Sequence, residues 1–168
     1  MSIYEKIFIG ILVFLISFIT ISVVKSQELV IHPSVECLAK NIYFEARNQN
    51  EKGQIAVGLV TLNRAKDNRF PDNVCDVVYQ AVFRGDLPMR HRCQFSWYCD
   101  GKPDVIRNTE AYQKIIDLLP KVYYYSLFND ITNGSTHYHA KYVSPKWRKE
   151  KIEVASIGDH IFYRWDRQ

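Results

Sequence analysis

A chain of 168 residues is long enough for one domain with a sizeable core, and 11 Tyr, 9 Phe and 3 Trp against 7 Gly and 6 Pro exclude a disordered or low-complexity protein. The formal charge of +4 is small, and no basic run is interleaved with aromatics, so no nucleic-acid partner is expected. A mild positive excess does suit an anionic partner such as a cell wall or a membrane surface.

Ile7 to Val24 is an 18-residue run without a charge, bounded by Lys6 and Lys25. It is long for a signal-peptide core and just long enough to span a bilayer. Val24-Lys25-Ser26 also offers small residues to a signal peptidase. Residues 1–27 therefore read as an N-terminal hydrophobic helix, either cleaved as a signal peptide or kept as a transmembrane anchor. The flanking lysines nearly balance and leave the orientation open. Either way the remainder, residues 33–168, is expected on the periplasmic or cell-envelope face. Cys37, Cys75, Cys93 and Cys99 all follow this segment, and an even count behind an export signal predicts two disulfides, with three connectivities open.

After a short juncture, the sequence predicts a first helix from about Ser34, its expected N-cap, to Asn48. Leu38, Ile42 and Glu45 stand at i, i+4 and i+7 on one stripe, flanked by Val35, Ala39 and Ala46. Glu45 thus points where the apolar side chains point. A carboxylate among apolar groups loses hydration, which raises its pKa and prepares it as a general acid near neutral pH. The ordinary alternative for such a residue is a paired or edge carboxylate.

Asn50 is placed to cap a second helix, Glu51 to about Lys66, in which Gly53 and Gly58 would let a neighbouring helix approach. Arg69-Phe-Pro-Asp72 breaks the pattern, and Val74 to Val82 reads as a third, short helix. Gly85 to Arg92 reads as a polar, Pro-containing loop. Cys93 to Asp100 is aromatic with polar groups interleaved, a short strand or ordered loop lining a cleft. Asn108 caps a long helix, Thr109 to about Leu127, kinked or ended near Pro120. Extended pieces follow over Thr136–Val143, Ile152–Ile157 and His160–Arg164. Helices first and a few strands later make the chain α+β, mainly helical, with a small sheet.

Three constellations carry chemistry. Glu45, with the Gln94-Phe95-Ser96-Trp97 and His137-Tyr138-His139 segments, has the acid, amide, hydroxyl and aromatic groups of a sugar-binding groove. His137 and His139, two apart on a strand, offer two zinc ligands, with His160 or Asp159 to complete the set, although no HExxH accompanies them. Cys93 with His137 is a nucleophile pair only if the thiols are not oxidised.

Cys37-Leu-Ala-Lys-Asn-Ile-Tyr-Phe-Glu-Ala-Arg47, Gly53-Gln-Ile-Ala-Val57, Asn63-Arg64 and Arg69-Phe-Pro71 together resemble the SleB-type cell wall hydrolases. The resemblance continues through Gln94-Phe-Ser-Trp97, Cys99-Asp-Gly101, Thr136-His-Tyr-His139, Pro145-Lys-Trp147 and Ile157-Gly-Asp-His160. It implies a lysozyme-like domain over residues 33–168 that cuts peptidoglycan as a lytic transglycosylase, leaving 1,6-anhydro ends, with Glu45 as the single catalytic acid/base. With the groove segments, Gln94, Phe95, Ser96, Trp97, His137 and Tyr138 are the expected substrate-binding residues; no metal or other cofactor is expected, and the chain is expected to be a monomer whose partners are glycan strands and, through residues 7–24 unless they are cleaved, the membrane. A hydrolytic muramidase, a zinc amidase and a non-catalytic wall-binding domain are the alternatives. One departure stands out: the family continues Glu-Ala-Arg with Gly-Glu, where this chain has Asn48-Gln49. The missing acid favours a one-carboxylate mechanism if Gln49 lies at the cleft.

Overall fold

The structure, a computed structural model, describes residues 32–165. The expected hydrophobic helix over residues 7–24 lies outside the described residues. Among those described, no helix is long and apolar enough to cross a membrane.

Helix α1 spans Pro33–Ala46, α2 Glu51–Lys66, α3 Val74–Val78 and α4 Thr109–Phe128. Strands β1 (Ala81–Arg84) and β2 (Leu87–Cys93) form a hairpin, followed by a 3-10 turn over Ser96–Cys99. Strands β3 (His137–Ala140), β4 (Ile152–Ile157) and β5 (His160–Arg164) form an antiparallel sheet in the order β3-β5-β4, with a second 3-10 turn, Lys146–Glu150, between β3 and β4.

The helix starts follow from asparagine. Asn50, Asn73 and Asn108 each accept a bond from the backbone N–H three residues on, satisfying a donor that the first turn leaves free. At α1 the cap is His32, not Ser34; Pro33 takes the first helical position, where its missing N–H costs nothing. Helix α4 runs through Pro120, which is exposed, and does not end there.

Ile55 to Leu62 is a continuous buried run, so α2 is apolar all round and sits at the centre. Leu38 and Ile42 of α1, Leu59 of α2, Val77 and Val78 of α3 and Ile115 and Val122 of α4 are fully buried in one cluster. Each contributes about 1.5–3 kcal/mol by leaving water. Ala56 and Val60, on another side of α2, meet Ile157 and Phe162 of the sheet. Gly58 is where α1, α2 and α4 converge: a methyl there would stand 2.8 Å from Val122 Cγ1 and 2.9 Å from Ile42 Cδ1.

Cys37–Cys75 ties α1 to α3, and Cys93–Cys99 closes the end of β2 onto the first 3-10 turn. This settles the connectivity and removes the Cys93–His137 nucleophile pair, because no described cysteine is free. Two stretches differ from the sequence expectation. The third helix ends at Val78, and the stretch expected as a polar loop is the second strand of the hairpin. Val82, Phe83, Leu87 and Met89 are exposed, so the hairpin has no buried face to impose the period of two that would have marked it.

Candidate active site

Glu45 lies in the last turn of α1, directly beyond Leu38 and Ile42 on the stripe that faces inward. It is half-buried and lines a cleft of about 590 Å³ together with Phe44, Ser96, Trp97, Asp100 and Asp104. Its Oε2 accepts a hydrogen bond of 2.8 Å from the Tyr138 hydroxyl. Loss of hydration raises the Glu45 carboxyl above its ordinary value, while the Tyr138 hydroxyl and the Arg64 charge pull it back. The Tyr138 phenol is pushed well up by burial and by the Glu45 charge, so it stays a hydrogen-bond donor at neutral pH.

Tyr138 is carried by β3, and the start of β3 is fastened to α2 by Asn63 and Arg64. Asn63 Nδ2 donates to Asp130 Oδ2, Thr132 Oγ1 and the Ser135 carbonyl at 2.8, 3.3 and 3.1 Å. Arg64 Nε donates to the Thr136 carbonyl at 2.7 Å. The Arg64 guanidinium is only 5% exposed and lies 4.9 Å from the ring centre of Phe95 and 5.4 Å from that of Phe70. A buried cation held between aromatic faces lends positive potential to the Glu45 side without reaching it as a salt bridge.

The other wall is built on Asn41, which is fully buried. Its Nδ2 donates to Thr61 Oγ1 and its Oδ1 accepts from Trp97 Nε1, both at 2.9 Å. Trp97 is thereby fixed with its ring stacked on Phe44 at 4.6 Å between centres. Asn41, Arg64 and the Asn63 network were not singled out as site residues from sequence. The signal was present for Arg64, which continues the buried i, i+4, i+8 row of Ala56 and Val60.

Of the residues expected to bind substrate, Ser96, Trp97 and Tyr138 come together around Glu45. Phe95 is buried beneath Arg64 and supports the site from below. Gln94 is exposed, its backbone N–H bonded to the Gln80 carbonyl, and is not among the residues lining the cleft. His137 lies on the far side of the sheet. Register pairs His137 with Tyr163 and His139 with Ile161, whereas Tyr138 pairs with Phe162 and Ala140 with His160. Alternation along the strands therefore puts His137 and His139 on one face, and Tyr138 and His160 on the other.

The zinc alternative fails on this geometry. His137 and His139 do share a face, but His160 is opposite and Asp159 bonds Gln49. His139 is engaged by the Tyr163 hydroxyl and the Ala140 carbonyl. Among the described residues no cluster of three or more His, Cys, Asp or Glu is arranged to hold a metal ion.

Gln49 lies away from the cleft, so the condition set on the missing acid is not met. Its amide exchanges two 3.0 Å bonds with Asp159, the side-chain carboxylate and the backbone N–H. It thus clamps the β4–β5 turn, where Gly158 has φ +56° and a methyl would come within 2.6 Å of Gln49 Oε1. Gln49 does not line the cleft.

The profile of the cell wall hydrolase family matches residues 48–163, more than half of the chain. The chain belongs to that family. Glu45 stands just before the matched span; Arg64, Trp97 and Tyr138 lie within it. Among curated relatives, a spore cortex-lytic enzyme of Halalkalibacterium halodurans is 27% identical over 129 residues, covering 76% of this chain and 34% of the relative. A spore cortex-lytic enzyme of Bacillus subtilis is 23% identical over 128 residues, covering 76% and 36%. The chain thus spans about a third of the length of these curated relatives. The catalytic domain of the germination-specific lytic transglycosylase SleB from Bacillus anthracis superposes with a TM-score of 0.58 at 23% identity, over 82% of this chain and 99% of that one. The catalytic domain of the Bacillus cereus SleB protein gives 0.54 at 25% identity, over 78% and 89%. The two likenesses place the chain's mixed helix-and-small-sheet architecture with that fold.

Proposed function

We propose that this chain cuts peptidoglycan glycan strands between N-acetylmuramic acid and N-acetylglucosamine, as a lytic transglycosylase with Glu45 as its acid and base. The observation that carries the proposal is Glu45 itself. It is a carboxyl at the end of an apolar helix stripe, opening on a cleft, with its pKa raised by lost hydration and one oxygen held by Tyr138. The SleB catalytic domains with the same fold supply the reaction class.

In the first step Glu45 gives its proton to the glycosidic oxygen and the bond from the muramic anomeric carbon to that oxygen breaks. The leaving sugar departs with a hydroxyl. The muramic C6 hydroxyl oxygen then bonds to the anomeric carbon, and its proton returns to the Glu45 carboxylate. Product is a 1,6-anhydro end, and the acid is regenerated. The nucleophile belongs to the substrate, so no partner carboxylate at about 5 Å, as a retaining glycosidase needs, is required. Trp97 and Phe44 offer an aromatic wall for a sugar ring, and Ser96 a hydroxyl.

Residues 33–168 act, in this proposal, as a lysozyme-like catalytic domain working as a monomer on the exported face, with residues 1–27 as anchor or signal. A second outcome has its own support: Asp100 and Asp104 line the same cleft, and burial and the Asp100 charge raise Asp104. One of them acting as base on a water would make the enzyme a muramidase.

Digestion of purified sacculi followed by mass spectrometry of the muropeptides decides. Anhydro ends, lighter by one water, are expected; reducing ends would mean a muramidase, and no glycan products would end the proposal. Glu45→Gln should abolish cleavage. It should also leave thermal stability equal at acid pH and higher at neutral pH, because a raised carboxyl costs stability as pH rises through its folded value.

A further inference from the structure

The chain's net charge sits in one place. Between Lys141 and Lys151 there are five cations, Lys141, Lys146, Arg148, Lys149 and Lys151, and one carboxylate, Glu150, a net +4 that equals the formal charge of all 168 residues. Among the described residues none of the five cations is in an ion pair within 4 Å. The nearby carboxylates are engaged elsewhere: Asp67 with Arg69, Glu153 with the Tyr163 hydroxyl, Asp159 with Gln49. Tyr142 is 89% exposed between the cations. Lys151 Nζ lies 3.7 Å from the ring centre of Trp165 and 5.2 Å from that of Trp147, so the charge is held at the surface on an aromatic footing.

The position of this patch separates it from the cleft. Trp147, in the 3-10 turn, packs on His137, His139 and Tyr163, the sheet face away from Tyr138 and Glu45. A basic, partly aromatic surface on that side cannot contact the sugar being cut. It can hold a second part of an extended polyanion.

We propose that the Lys141–Lys151 surface is a second peptidoglycan contact that binds the carboxylates of peptide stems on a strand next to the one in the cleft. The occupant follows from charge complementarity and from the substrate assigned above, on which this inference rests. Stem carboxylates are spaced along a flexible polymer, which suits solvated lysines acting as point charges better than a rigid bidentate pocket.

The test uses the full chain in detergent micelles, carrying Glu45→Gln so that sacculi are bound and not digested. Adding Lys141→Gln, Lys146→Gln and Lys149→Gln should weaken sedimentation with sacculi about tenfold at low salt, with little difference left at high salt. A charge-matched control, Lys52→Gln, Arg84→Gln and Arg92→Gln, should bind as the parent does. Sacculi whose stem carboxylates are converted to amides with a carbodiimide and ammonia should bind the parent as weakly as untreated sacculi bind the lysine variant. Sacculi freed of phosphate polymers by hydrofluoric acid should bind it fully. Unchanged binding in the lysine variant, an equal loss in the control, or loss on acid stripping each overturns the proposal; the last would assign the surface to a phosphodiester polymer. Binding is read without turnover, so it judges the surface independently. Failure of the Glu45-intact chain to cut sacculi would overturn only the assigned reaction. With Glu45 intact, the three lysine changes should leave cleavage of a short soluble glycan unchanged.

Discussion

Tyr138→Phe isolates one atom of the site. The hydroxyl donates to Glu45 Oε2 at 2.8 Å and favours the ionised carboxyl; its removal leaves the ring and its packing on Phe162 and His160 in place. A hydrogen bond to a charged group contributes about 1.5–3 kcal/mol, and the lower end, suited to a half-buried carboxylate, is roughly tenfold in proton affinity. Loss of a bond that stabilises the carboxylate makes Glu45 hold its proton to higher pH, adding to the rise already caused by lost hydration. The alkaline limb of the kcat profile should therefore move to about tenfold lower proton concentration. Peak kcat should fall by about tenfold as the carboxyl loses its fixed orientation, with KM little changed. The assay is the release of anhydro-muropeptides from a soluble glycan across the pH range, for both chains. An alkaline limb that stays put, or moves toward acid, would refute the assignment of Tyr138 as the group that sets the Glu45 proton.

Three further outcomes are expected. Gly58→Ala places a methyl 2.8–2.9 Å from Val122 and Ile42; overpacking of about 1–3 kcal/mol outweighs the helix-propensity gain of about 1 kcal/mol, so the urea midpoint should fall. Replacing Cys37 and Cys75 by Ala opens a loop of sequence separation 38 and should cost about 3–4 kcal/mol by the same measurement, with activity at low temperature retained. His137 is pushed down to about 3 by burial and by the Arg64, Lys151 and Arg69 charges, with Asp67 opposing. The folded ring stays neutral while the unfolded one takes up a proton below its ordinary value, so stability should fall as pH drops from about 6.5 toward 3. By pH 4 the loss should reach about 2 kcal/mol after allowing for solvent screening, and His137→Asn should lose less.

Much of the fold was legible because its determinants are local. Asn50 and Asn108 mark helix starts by a side-chain bond three residues long, and β4 and β5 run over the residues expected for them. The inward direction of Glu45 followed from the same kind of local rule, the i, i+4, i+7 row from Leu38. What was not legible depends on contacts between distant residues. Tyr138 was expected to touch substrate, and no local pattern says that its hydroxyl meets a carboxylate 93 residues earlier. Asn41 is a polar residue that looks like helix surface until Thr61 and Trp97 satisfy it, and for Arg64 the row through Ala56 and Val60 gave the direction but not the Thr136 partner. His160 fell out of the zinc set because strand register, which sequence spacing does not reveal, put it on the other face. Gln49 was weighed as a missing catalytic acid, when its partner is a turn more than a hundred residues downstream.

The long reach from Glu45 to Tyr138 has a consequence for the order in which the site is completed. β3 hydrogen-bonds to β5, not to β4, so its sheet pairing, which adds to the Asn63 and Arg64 bonds at its start, is completed only after His160–Arg164 has been synthesised and docked. α1 and Glu45 emerge early in synthesis, long before β3 carries the Tyr138 donor and β5 pairs with it. The site is thereby assembled late, its oriented carboxyl waiting on the last strand of the sheet.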